Sequence, residues 1–100
     1  MKSAVVIIDM TNDFLTGALK NERALKTIQP IKELLDKAHQ QSVPVVYVSD
    51  AHYPDDHELK IWGNHSMKDT WGGQITDELA PQSEDYTFEK HTYSAFLKPD

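Results

Sequence analysis

Ala4-Val5-Val6-Ile7-Ile8-Asp9-Met10, followed by Asn12-Asp13-Phe14-Leu15, is the stretch on which the reading of this chain turns. A short apolar run rich in β-branched side chains is a strand, and an unbroken run implies burial on both faces, as in a parallel sheet. Asp9 then stands at the carboxyl end of that strand, where open α/β sheets gather their ligands. Taken alone, Asp9 serves equally well as a turn-capping carboxylate or a catalytic one. Two more polar clusters, Ser49-Asp50-Ala51-His52 and Glu89-Lys90-His91, follow apolar segments in the same way and favour the catalytic reading.

Working outward, residues 44–48 and 86–89 read as a second and third strand. Between the first two, Leu25, Ile28, Ile31, Leu34, Leu35 and Ala38 recur at spacings of three and four, an apolar stripe that must face a sheet. Pro30 is tolerated only near a helix start, which places the main helix at 30–40 with 25–29 as a looser lead-in turn. Strand, helix and strand form a βαβ unit. Residues 51–85 contain Pro54, Gly63, Gly72, Gly73 and Pro81 and hold no sustained period, with only 75–79 suited to a short helical turn. Trp62 and Trp71, with His52, His57 and His65, mark this as an ordered functional loop, since disordered segments are poor in aromatics.

A net charge of −6, with the basic residues scattered among acids, argues against a nucleic-acid partner. No apolar run is long enough to span a membrane and no basic, apolar leader is present, so a cytoplasmic location is expected. There are no cysteines, which excludes disulfides and a Cys nucleophile from these 100 residues. Three parallel strands with one crossover helix leave one sheet face bare, an apolar patch that soluble monomers rarely carry; the chain therefore reads as the N-terminal part of a larger fold.

Asp9, Asp50, His52 and Lys90 all fall at strand ends and so on one rim of the sheet. Asp9 with Lys90 makes an acid–base pair in which the ammonium keeps the carboxylate ionised and the carboxylate takes a proton from a nucleophile. As plain structure, the same two residues would be an ion pair tying strand ends. Asp50, His52 and His65 offer one carboxylate and two imidazoles, a donor set for zinc first, or for iron or manganese. Phe14 and Trp62 are candidates for lining a substrate pocket, with Trp71 a further one. His39 suits the helix C-terminus and receives no function. His57 reads as part of a solvated turn, and His91 as a residue on the far side of the third strand.

Read together, Val5 to Met10 with Asn12-Asp13-Phe14, then Val45-Val46-Tyr47-Val48-Ser49-Asp50-Ala51-His52, then Ile61-Trp62-Gly63-Asn64-His65, and finally Glu89-Lys90-His91-Thr92-Tyr93-Ser94-Ala95-Phe96 resemble the isochorismatase-like cysteine hydrolases, which include nicotinamidases and N-carbamoylsarcosine amidases. The resemblance covers nearly the whole chain. It implies a three-layer α/β/α, Rossmann-like fold with a parallel sheet, and a triad of Asp, Lys and Cys whose first two members match Asp9 and Lys90. In such enzymes the Asp deprotonates the Cys, the thiolate attacks an amide carbonyl, and water releases the acid from the thioester. Asp50, His52 and His65 match positions that bind a divalent metal in nicotinamidase-like members.

Two departures stand out. The Cys is missing from these residues, and Ala51 stands where nicotinamidases often carry Trp. With the loop from Pro54 to Lys68, the second departure leans toward the carbamoylsarcosine-amidase-related branch. The expectation is that residues 1–100 form one isochorismatase-like domain, incomplete at its C-terminus and inactive alone. The complete protein would be a homo-oligomeric amidohydrolase acting on a small amide or ureido compound. The alternative is a non-catalytic remnant or binding module that keeps the pocket and the metal site.

Overall fold

A computed structural model describes residues 2–56 and 59–90. Strands β1 (Val5–Ile8), β2 (Val45–Asp50) and β3 (Tyr86–Lys90) form one parallel sheet in the order β1-β2-β3. The register aligns Ile7 with Tyr47 and Thr87, and Ile8 with Val48 and Phe88. Asp50 lies opposite Lys90. Helical segments α1 (Asn12–Leu15), α2 (Glu22–Leu25) and α3 (Ile28–Gln40) connect β1 to β2. The long connection to β3 carries α4 (Leu59–Trp62) and a 3₁₀ turn, Asp77–Leu79.

The α3 helix begins at Ile28, two residues before the expected start. Pro30 still falls within the first turn, where no intrahelical partner awaits its missing N–H. The lead-in is a separate turn, α2, capped by the Asn21 side chain, which accepts from the backbone N–H groups of Arg23 and Ala24. Leu35 and Ala38 are buried against Ile7, Val45, Tyr47 and Leu79, with Ile28 and Ile31 packed at the margin. Leu34 departs from the expected stripe and is half exposed, because it lies one residue, about 100°, around the helix from Leu35.

β2, as the central strand, is buried nearly throughout, whereas β1 is buried on one face only among the described residues. Val6, Ile8, Tyr86 and Phe88 are each 42–58% exposed on the face away from α3. The bare apolar face expected from the sequence is therefore present in the described part. No described helix is long and apolar enough to cross a membrane.

The 51–85 connection is ordered by backbone hydrogen bonds to the β1 exit. Asn12 N–H donates to Gln74 O at 2.9 Å, Asp13 N–H to Gly72 O at 3.1 Å, and Thr76 N–H to Met10 O at 3.0 Å. Beneath the sheet, the Tyr47 hydroxyl donates to the Leu79 carbonyl at 2.7 Å, and burial together with the charge of Asp85 pushes its pKa up to about 12. Tyr47→Phe would leave that carbonyl buried without its donor, so a stability loss of about 1–3 kcal/mol is expected. Denaturant unfolding of the full protein checks it; an unchanged midpoint would mean that the bond contributes nothing.

Candidate active site

Asp9 leaves β1 in the left-handed region, φ 59°, a conformation that Asp tolerates better than most residues. This turn aims its carboxylate along the rim rather than away from it. Oδ1 accepts the Asp50 backbone N–H at 3.1 Å, and Oδ2 lies 3.1 Å from Lys90 Nζ. Lys90 reaches there from the end of β3, across β2, and also donates to Asp50 Oδ1 at 2.6 Å. Its side chain is 1% exposed, so an ammonium is buried between two carboxylates from the other two strands. Burial opposes its charge, but the hydrogen bond to Asp50 and the charges of Asp9 and Asp50 outweigh burial and hold Lys90 above the ordinary lysine range. For Asp9, burial and then the charge of Asp50 push the carboxyl above its usual range, and Lys90 only partly opposes them.

Asp50 serves two neighbours at once. Its second oxygen, Oδ2, lies 3.3 Å from His52 Nε2 and 3.8 Å from His65 Nε2. Each imidazole is oriented by its other nitrogen: His52 Nδ1 meets the Asp56 carboxylate at 2.9 Å, and His65 Nδ1 meets the Gly63 carbonyl at 2.8 Å. Both of those partners are obligate acceptors, which places a proton on each Nδ1. In the neutral rings each Nε2 then presents a lone pair toward Asp50. Lone pairs converging on a buried carboxylate repel unless a cation lies among them. The donor atoms of Asp50, His52 and His65 lie within 4.8 Å of one another, and all three residues are buried. A set of one carboxylate and two imidazoles, each imidazole held by an outer acceptor, fits a divalent transition ion. The outer acceptor of His52, Asp56, was not singled out from the sequence; only its spacing, four residues on, hinted at it.

A cavity of about 550 Å³ opens onto this rim, lined by Asp9, Phe14, Leu19, Trp62 and His65 among others. The Phe14 ring meets His65 edge-on, with centroids 5.5 Å apart. Phe14 and Trp62 are thus both among the residues lining this cavity. Trp71 is not among the lining residues; its side chain is exposed and its carbonyl accepts from Asn12 Nδ2 at 2.7 Å. His39, given no role, bonds Asp85 at 2.9 Å and ties the end of α3 to the start of β3. His57 and His91 lie outside the described residues.

The family model for the isochorismatase domain matches residues 3–100. The crystal structure of N-carbamoylsarcosine amidase from Thermoplasma acidophilum superposes with a TM-score of 0.94 at 45% identity, covering 99% of this chain and 57% of that one. A nicotinamidase from Bacillus subtilis gives a TM-score of 0.86 at 29% identity, covering 100% of this chain and 62% of that one. By sequence, the isochorismatase of Bacillus subtilis (strain 168) is 29% identical over 102 residues, 97% of this chain and 33% of that protein. The chain therefore spans between a third and two thirds of the length of these relatives.

The raised Asp9 pKa has a definite linkage sign. Between the ordinary carboxylate range and the raised value, the folded state keeps a proton that the unfolded chain has released, so stability falls as pH rises through that window. Asp9→Asn removes this penalty. In chelator-treated full-length protein the gap in melting temperature, Asp9→Asn minus wild type, should therefore be larger at neutral pH than at acid pH. A gap that widens at acid pH would refute the assignment.

Proposed function

The chain belongs to the isochorismatase domain family, and from that premise we propose that it is part of a cysteine amidohydrolase acting on a small amide or ureido compound. The observation that carries this reading is the Asp9–Lys90–Asp50 network, in which Lys90 and Asp50 are buried and Asp9 and Asp50 line the cavity of about 550 Å³. The 45% identity to an N-carbamoylsarcosine amidase, and Ala51 between Asp50 and His52, favour a ureido substrate over a pyridine amide.

In this reading Asp9 is the general base and Lys90 its electrostatic partner. The nucleophilic thiol comes from sequence of the longer protein beyond these residues, which contain no cysteine. Asp9 takes the thiol proton, and the thiolate forms a bond to the carbonyl carbon. As the C–N bond breaks, Asp9 returns the proton to the leaving nitrogen, so that ammonia departs and a thioester remains. Water, losing a proton to Asp9, then releases the acid and regenerates the thiol. A carboxyl held above its usual range accepts and returns protons more readily near neutral pH than an ordinary Asp. Lys90 limits that rise and stabilises the thiolate. Phe14 and Trp62 hold the body of the substrate.

Asp50, His52 and His65 would hold the divalent ion, zinc before iron or manganese, which when bound orients and polarises a polar group of the substrate. A second reading is a binding module that keeps pocket and metal site without the nucleophile; the absence of cysteine from these 100 residues fits it and a cysteine elsewhere in a longer protein equally.

Ammonia release by the full-length protein from N-carbamoylsarcosine, nicotinamide and related amides separates the two. Asp9→Asn should lower the rate by about 10² to 10⁴-fold with the fold intact, the range for removing a general base, and Lys90→Ala should lower it as well. Equal turnover by wild type and Asp9→Asn would remove Asp9 from the base role. No turnover of any compound would favour the binding module. Metal analysis should find one divalent ion per chain, lost in His52→Ala; no stoichiometric ion in wild type would refute the metal site.

A further inference from the structure

The motif Asn12-Asp13-Phe14 is only partly used by the proposed mechanism, which calls on Phe14 alone. The Asp13 carboxylate sits in a built enclosure. Oδ1 accepts the Ala18 N–H at 3.0 Å, and Oδ2 accepts the Ser66 N–H at 2.8 Å, across 53 residues of sequence. Gly17 and Gly72 pack so closely on it that a Cβ at either position would overlap the carboxylate oxygens. The glycines are therefore there to admit the carboxylate.

Ser66, which Asp13 holds, is fully buried and lies in the left-handed region at φ 43°, a costly conformation for a residue other than Gly, Asn or Asp. Its hydroxyl is hydrogen-bonded to Thr11 Oγ1 at 2.9 Å. Its carbonyl accepts the His52 N–H at 2.9 Å. The residue before it is His65. Thus two consecutive residues grip two others: Asp13 takes the Ser66 N–H, while the Phe14 ring abuts the His65 imidazole. Ser66 in turn joins the backbone of His52, the other imidazole of the cluster.

The geometry points to Asp13 as a positioning residue, one that holds the strained Ser66 turn and thereby sets His65 and His52 against Asp50 for metal binding. This inference rests on the reading of Asp50, His52 and His65 as ligands. The neutral amide of Asn cannot replace Asp13 fully, because two N–H donors converge on it and an amide offers one acceptor oxygen.

The test is zinc(II) affinity of the full-length protein, measured by competition with a chromophoric chelator. Asp13→Ala should bind zinc about 10- to 100-fold more weakly than wild type, as expected when an outer-shell partner of a ligand is lost. Asp13→Asn should fall between them. Gly72→Ala keeps the carboxylate but displaces it, and should weaken binding too. Tyr47→Phe is the control, since it removes a hydrogen bond far from the cluster and should leave zinc affinity unchanged despite lower stability. If Asp13→Ala does not fold, Asp13→Asn and Gly72→Ala decide. Zinc binding lost in His65→Ala but unchanged in the Asp13 and Gly72 variants would overturn the positioning role and leave the metal site standing. Affinity indifferent to His65→Ala would overturn the metal site, and the positioning role with it.

Discussion

A lysine ammonium, 1% exposed, sits between carboxylates from two other strands, and the rest of the rim is arranged around it. An ammonium taken out of water costs several kcal/mol unless its partners are close and well placed. Asp50 at 2.6 Å and Asp9 at 3.1 Å meet that requirement. They can do so only because the sheet is parallel, which delivers all three strand ends to the same side. The register puts Asp50 directly opposite Lys90. The left-handed turn at Asp9 then brings the third charge into reach.

That arrangement carries more negative than positive charge, two carboxylates against one ammonium. Burial first, and then the charge of Asp50, raise the Asp9 carboxyl, while Lys90, shared with Asp50, only partly opposes them. Another consequence faces the loop. Asp50 Oδ2 is turned toward two imidazoles whose outer nitrogens are occupied by Asp56 and by the Gly63 carbonyl. One residue thus links the proposed base to the proposed metal site. A change at Asp50 is felt on both sides, which is the expected behaviour of a coupled cluster.

Two of the four non-glycine residues with positive φ among the described residues lie at this rim. Asp9 ends β1 and Ser66 follows His65, both in the left-handed region. Such conformations persist where surrounding bonds over-determine them. For Asp9 these are the bonds from its N–H to Val48 and from Asp50 N–H to its carboxylate; for Ser66 they are the contacts to Asp13, Thr11 and His52. The bare sheet face bearing Val6, Ile8, Tyr86 and Phe88 sits on the same strands.

The strands, the main helix and the strand-end polar residues were legible in the sequence, because period and β-branched content report the local backbone and a strand's last residue has a known place in a parallel sheet. Asp9, Lys90, Asp50 and His52 could be placed on one rim from those positions, with His65, Phe14 and Trp62 as candidates beside them. The dual use of Asp50, the bond from His52 to Asp56, the exposure of Trp71, and the grip of Asp13 on Ser66 could not be read from them. They depend on contacts across the fold or on how the loop turns its side chains, and periodicity carries neither. Pattern determined which residues reach the rim; only the packed loop, folded back on the β1 exit, decided which atoms face each other there.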